Sequence, residues 1–204
     1  MLLLPNRTYQ RHILAYWKKA SKDQHKRGKA WYPDTNRLCQ RIADQYGLPV
    51  QHVAGILAAL SPVCAWEFNV LGMYSLIKTG YMPNVASTYP ANIKKAERIL
   101  AGENPASVLG GDKVKSFYAC ILRPHGLAVC IDRHTGAIAT GEKWGKRKSQ
   151  CKPLYREVRK AYQAVARHLK QSVSVVQATT WLVKREELTE SERLYTTQSN
   201  LYGG

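Results

Sequence analysis

The sequence predicts an all-α fold, and three observations carry that prediction. Apolar residues recur at three- and four-residue spacing in segment after segment, and Gly or Pro punctuates the ends of those segments. The chain has 204 residues and is 45% hydrophobic, enough for a sizeable core in one domain or in two small lobes.

From Thr8 to about Lys22, Ile13, Leu14, Tyr16 and Trp17 share one side, with Lys18, Lys19 and Lys22 elsewhere on the turns. Asp34 or Thr35 is placed to cap a helix running to Tyr46, ended by Gly47-Leu48-Pro49. Val50 to Leu60 is apolar nearly all round, the mark of a central buried helix, and Ser61-Pro62 stops it. Trp66 to about Lys78 carries Phe68, Leu71, Tyr74 and Ile77 at helical spacing and closes at Thr79-Gly80. Asn92 to Leu100 is a short amphipathic helix. Gly110-Gly111-Asp112, followed by Val114, Phe117, Tyr118, Ile121 and Leu122, reads as a tight turn, an N-cap and a helix. The segment 92–101, or a turn around 105–109, is the first arm of a helix–hairpin–helix closed there. Val129-Cys130-Ile131 is a short extended approach delivering Asp132 to a helix start. Leu154 to Leu169 repeats apolar residues at 154, 158, 161, 162, 165 and 169, and a last helix covers about Val173 to Glu187 before a frayed tail, Thr196–Gly204.

Charge identifies the partner class. Lys and Arg number 31 against 14 Asp and Glu, a net +17. A chain this apolar folds rather than remaining a disordered basic tail, so the imbalance points to a polyanion, with nucleic acid ahead of anionic membrane. The excess is concentrated: residues 1–30 hold eight basic residues against Asp23, and 141–170 hold ten against Glu142 and Glu157. The span 31–140 is close to neutral. The opening Met-Leu-Leu-Leu run stops at Pro5-Asn6-Arg7, and no segment reaches the roughly 18 apolar residues of a membrane span. A cytoplasmic chain, bacterial or in a phage-infected cell, is expected. The five cysteines lie at least ten residues apart with no CxxC pair, so no metal site or cofactor is expected and free buried or half-buried thiols are.

Three segments together resemble the helix–hairpin–helix DNA glycosylase superfamily. Ile56-Leu57-Ala58-Ala59-Leu60-Ser61 followed by Asn69 is similar to its buried helix ending in Leu-Ser and the Asn of the next helix. Residues 92–100 look like the helix before its hairpin. Gly111-Asp112-Lys113-Val114 and Ile131-Asp132-Arg133-His134 are similar to its hairpin glycine, catalytic lysine and aspartate motif, 19 residues apart from Lys113 to Asp132. The likeness covers about 50–140. The Ser61-Pro62, Trp66 and Asn69 wording resembles phage-encoded relatives of the fold. The chain departs from the family in its Leu109-Gly110-Gly111 hairpin, in lacking a Gln after Leu-Ser, and in lacking a four-cysteine loop.

The resemblance implies a two-lobed, all-helical unit spanning 1–204, with a hairpin lobe at about 50–140, a second lobe completed by the basic flanks 1–30 and 141–170, and a DNA cleft between lobes. It implies a monomer that binds double-stranded DNA and removes a flipped damaged or modified base. Asp132 then stabilises the developing oxocarbenium ion or activates water, although the same position suits a helix cap and the two roles can coexist. Lys113 is the candidate nucleophile, which must be neutral to attack; a helix first turn with Lys115 nearby favours that, and a Schiff base would permit abasic-site lyase activity. Lys113 and Lys115 equally suit plain phosphate contacts. Gly110, Gly111, Lys115, Arg133 and His134 are the expected DNA-backbone contacts, and Trp66 and Asn69 the base pocket, where Trp66 also suits simple core packing. Two other functions fit the same residues: a phage base-hypermodification transferase on this fold, and a non-catalytic DNA-binding protein.

Overall fold

The computed structural model describes residues 5–83 and 88–202 of the chain, with side chains over 7–83 and 88–188. The Met-Leu-Leu-Leu run and Gly203-Gly204 therefore lie outside the described residues. Among the described residues every regular element is a helix: α1 Pro5–Lys19, α2 Lys22–Tyr46, α3 Val50–Leu60, α4 Trp66–Thr79, α5 Pro90–Leu100, α6 Pro105–Val108, α7 Asp112–Leu122, α8 Arg133–Thr140, α9 Lys146–Ser149, α10 Lys152–Leu169 and α11 Val173–Tyr202. No described helix is long and apolar enough to cross a membrane. The chain divides into two units, one formed by residues 1–31 and 131–204, the other by 32–130. The division at Cys130–Ile131 puts Asp132 with the basic flanks, not in a 50–140 lobe.

In the 32–130 unit, α3 is the hub, against which α4, α5, α6 and α7 pack. Eight consecutive residues, Val53 through Leu60, are buried, as an all-round apolar helix requires. Gly55 allows the closest approach: a Cβ there would sit 2.7 Å from the Pro105 ring. In the other unit α1, α8, α10 and α11 pack on one another. Its core is Ile13, Ile138, Val158, Tyr162, Val165 and Val176, with a buried polar seam of Thr135, Gln177 and Thr180.

Several expectations are corrected. The helix expected to start at Asp34 or Thr35 begins instead at Lys22, with Pro33 inside it. Proline in a helix interior costs about 3 kcal/mol, and what the added turns supply against it is the burial of Tyr32, about 1.5–3 kcal/mol, and the packing of Trp31 on Trp181. On α4 the inward face is Asn69, Gly72, Met73 and Leu76 rather than Phe68, Leu71, Tyr74 and Ile77. Both sets have helical spacing, and packing against α3 selects the one that includes a glycine, leaving Phe68 46% and Leu71 43% exposed. Gly111, at φ +77°, is the N-cap residue of α7, and Asp112 lies in the first turn. Helix α11 runs through Tyr202, over most of the segment expected to fray. Cys39, Cys120 and Cys130 are buried and Cys64 is half-buried, but Cys151 is exposed. Burial pushes the Cys39 and Cys120 thiols up to about 12.

Candidate functional site

The sequence-derived residues fall into two groups, one per unit. In the 32–130 unit, α6 ends at Val108, Leu109 is buried, and the chain turns through exposed Gly110 and Gly111 into α7. A side chain at Gly111 would be strained by its positive φ, so glycine is required there. Lys113 is the second residue of α7, and its Nζ donates to the Ser61 carbonyl at 3.3 Å and lies 3.5 Å from Ser61 Oγ. Ser61 is the C-cap residue of α3, so the lysine places its positive charge at the negative end of that helix. Burial raises the half-buried Cys64 thiol above its usual range, with the Lys113 ammonium pulling the other way. Lys115 is exposed, and Lys95 brings its Nζ within 3.6 Å of where a Gly110 Cβ would stand. Of the two expected base-pocket residues, Trp66 is the half-buried first residue of α4, and Asn69, 2% exposed, keeps its Oδ1 without a hydrogen-bond partner.

In the other unit, Asp132 leaves extended backbone (φ −97°, ψ −170°) and caps α8. Its Oδ1 accepts from His134 N at 2.9 Å, Thr135 N at 2.8 Å and Thr135 Oγ1 at 2.9 Å; Oδ2 accepts from Trp181 Nε1 at 2.9 Å. The cap is thus formed, and the carboxylate direction is set from two elements. Ile131 is held behind it by the Tyr155 hydroxyl, which accepts from its backbone N–H at 3.2 Å. Arg133 is exposed and its Nε donates to His134 Nε2 at 3.1 Å, so the ring proton sits on Nδ1. Burial lowers the His134 pKa below its ordinary value; Asp132 opposes this, while Arg133, Lys184 and Arg185 add to it. The imidazole is therefore neutral near pH 7.

In both expected basic flanks most cations are exposed, some of them in ion pairs. In the N-terminal flank Lys19 pairs with Glu187, and Arg27 with Asp23 at 2.6 Å and Glu186 at 2.7 Å. On α10, Lys152, Arg156, Arg159 and Arg167 are exposed at helical spacing, opposite the buried face of Val158, Ala161 and Val165, and exposed Lys170 follows as the C-cap residue. The sole acid of α10, Glu157, pairs with Lys160 at 2.9 Å. At 1.5 Å per residue this basic ridge is about 27 Å long.

Two partners were not apparent in the sequence: Ser61 as the anchor of Lys113, and Trp181 as a donor to Asp132. Ser61 stands in the Leu-Ser motif, but its partner is 52 residues away, and nothing in the last helix marks Trp181 apart from a core tryptophan. Among the described residues there is no cluster of three or more His, Cys, Asp or Glu that could hold a metal ion.

No curated protein and no solved structure matches the chain. One family model does, described as a family of unknown function (DUF7178), and it covers residues 3–188. The match takes in both units and all the candidate site residues, so the chain belongs to the DUF7178 family.

Proposed function

We propose that the chain is a DNA glycosylase, a monomer acting on double-stranded DNA in the cytoplasm of a bacterial or phage-infected cell, that removes a damaged or modified base after flipping it out. The observation that carries the reading is the Asp132 carboxylate: half-buried, with four donors holding its direction, it is suited to oppose the positive charge that develops at the sugar as the glycosidic bond breaks. In the lyase variant neutral Lys113 attacks C1′ as the glycosidic C–N bond breaks, the departing base takes up the proton that the lysine nitrogen loses, and opening of the C1′–O4′ bond leaves a Schiff base from which β-elimination follows. Without that attack, Asp132 takes a proton from water and the enzyme only hydrolyses the bond. The basic ridge on α10 supports the choice of DNA, as four exposed cations at helical spacing, with Lys170 at the helix end, suit a line of phosphates. Gly110, Gly111, Lys115, Arg133 and His134 are assigned to the backbone, and Trp66 and Asn69 to the base.

A second reading has its own support. Lys113 is tied to the Ser61 carbonyl and Asp132 to a helix cap, the arrangement of a non-catalytic DNA-binding protein. Incubation with modified-base or abasic oligonucleotides plus borohydride separates the two. An adduct lost in Lys113→Ala and retained in Lys115→Ala supports the lyase; base release without an adduct supports water activation by Asp132. Tight DNA binding with no base release on any substrate, hypermodified DNA included, refutes the glycosylase.

A further inference from the structure

The two oxygens of Asp132 have different partners. Oδ1 takes the three donors of the α8 start, His134 N, Thr135 N and Thr135 Oγ1, and those alone complete a helix cap. Oδ2 takes one donor, Trp181 Nε1 at 2.9 Å, from α11, 49 residues further along the chain. This fourth bond adds nothing to the cap. It controls the remaining freedom of the carboxylate, rotation about the Cβ–Cγ bond, which three bonds to a single oxygen leave loosely determined.

The indole is itself held in place. The Trp31 ring lies 4.9 Å from it, tilted by 54°, and the Arg185 guanidinium stands 5.2 Å from its ring centroid. The next two residues of α11, Leu182 and Val183, are buried, so the backbone that carries the ring is anchored. A long, fixed aromatic side chain that spends its single donor on one carboxylate oxygen is a device for aiming that oxygen.

We propose that Trp181 is the positioning residue of Asp132: its indole N–H fixes the plane of the carboxylate, so that Oδ2 keeps one direction toward the reacting sugar. The proposal rests on the glycosylase reading for its catalytic consequence, but not for its geometry. Trp181 touches no substrate in this account; it acts through Asp132.

The test uses the full chain and two measurements. In a 15N-indole spectrum of the five tryptophans, the signal lost in Trp181→Phe identifies the Trp181 N–H. That signal is expected downfield and slow to exchange with solvent in the wild type, and shifted upfield and fast-exchanging in Asp132→Ala. The second measurement is turnover on the DNA substrate that the wild type processes. Trp181→Phe keeps a ring against Trp31 and Arg185 while removing the donor. It is expected to keep KM and the melting temperature close to wild type while kcat falls about tenfold to a hundredfold, the penalty of a misaimed group. Unchanged kcat in Trp181→Phe, or an indole signal indifferent to Asp132→Ala, overturns the proposal. A wild type inactive on every substrate refutes the glycosylase reading instead, and the indole signal then decides the positioning claim by itself.

Discussion

Truncating Asp132 to alanine leaves four donors without their acceptor. Two are the backbone N–H groups of His134 and Thr135, and losing an N-cap of this kind costs about 1 kcal/mol. The third is the Thr135 hydroxyl, whose residue is 0% exposed, and a buried polar group stripped of its partner costs about 1–3 kcal/mol. Thr135 Oγ1 also accepts from Gln177 Nε2 at 3.3 Å, and the Tyr162 hydroxyl donates to the Thr135 carbonyl at 3.3 Å, so the loss is felt across the polar seam. The fourth, the Trp181 indole, is only half-buried and recovers part of its bond from water. Together these place Asp132→Ala about 3 kcal/mol below wild type, or roughly 6–12 °C in melting temperature for a chain of this length. Asp132→Asn behaves differently. Its amide oxygen still accepts the three Oδ1 bonds, while its NH2 meets the Trp181 N–H donor to donor, so about 1–2 kcal/mol is expected. Urea unfolding of the three proteins, read at two wavelengths, gives the order wild type, then Asn, then Ala. Equal losses in Asn and Ala, or a loss below about 1 kcal/mol in Ala, would refute the account of a carboxylate shared between a cap and a distant indole. On the proposed function, Asp132→Asn remains folded and binds DNA but releases no base.

Gly28→Ala places a methyl 2.7 Å from the Thr179 Cα and 2.9 Å from its Cβ, contacts that no rotamer change relieves. The gain of about 1 kcal/mol in helix propensity is outweighed by overpacking, for a net loss of about 1–2 kcal/mol by chemical denaturation. Val63, 63% exposed and at φ +53°, is a β-branched residue in the left-handed region; Val63→Gly is expected to raise stability by about 0.5–1 kcal/mol in the same assay. His134 is a base whose folded pKa lies below its ordinary 6.5, so the unfolded chain binds the extra proton first. Its contribution to stability is complete above pH 6.5 and is lost as pH falls through that value toward the lower folded one. His134→Gln therefore narrows the difference in melting temperature between pH 7.5 and pH 5.5, the direction set by burial among Arg133, Lys184 and Arg185. An unchanged difference would show that the imidazole takes up its proton equally in both states.

The all-helical architecture and most helix ends were legible because they are local. Gly80 closes α4 in the left-handed conformation that glycine adopts at no steric cost. The Gly110-Gly111-Asp112 turn and the Ile131-Asp132 helix start are likewise written in adjacent residues, so the places of Lys113 and Asp132 could be read directly. Pro33 misled because its local cost is visible in sequence while the tertiary packing of Trp31 and Tyr32 that offsets it is not. The α4 face misled because Phe68, Leu71, Tyr74 and Ile77 form the more apolar set, while the buried positions Asn69, Gly72, Met73 and Leu76 follow the i, i+3, i+4, i+7 helical spacing with a polar residue and a glycine among them.

The sequence by itself determined the all-helical class and many of the helix ends, how the excess charge is distributed, and which two residues stand at helix starts with chemistry to offer. Tertiary structure decided what those residues touch. Lys113 meets Ser61 across 52 residues and Asp132 meets Trp181 across 49, and it is packing between helices, not spacing within one, that brings each pair to hydrogen-bond distance. Turn and cap propensities act over a few neighbouring residues, whereas the direction of a carboxylate or an ammonium is set by whichever donor or acceptor the fold carries to it.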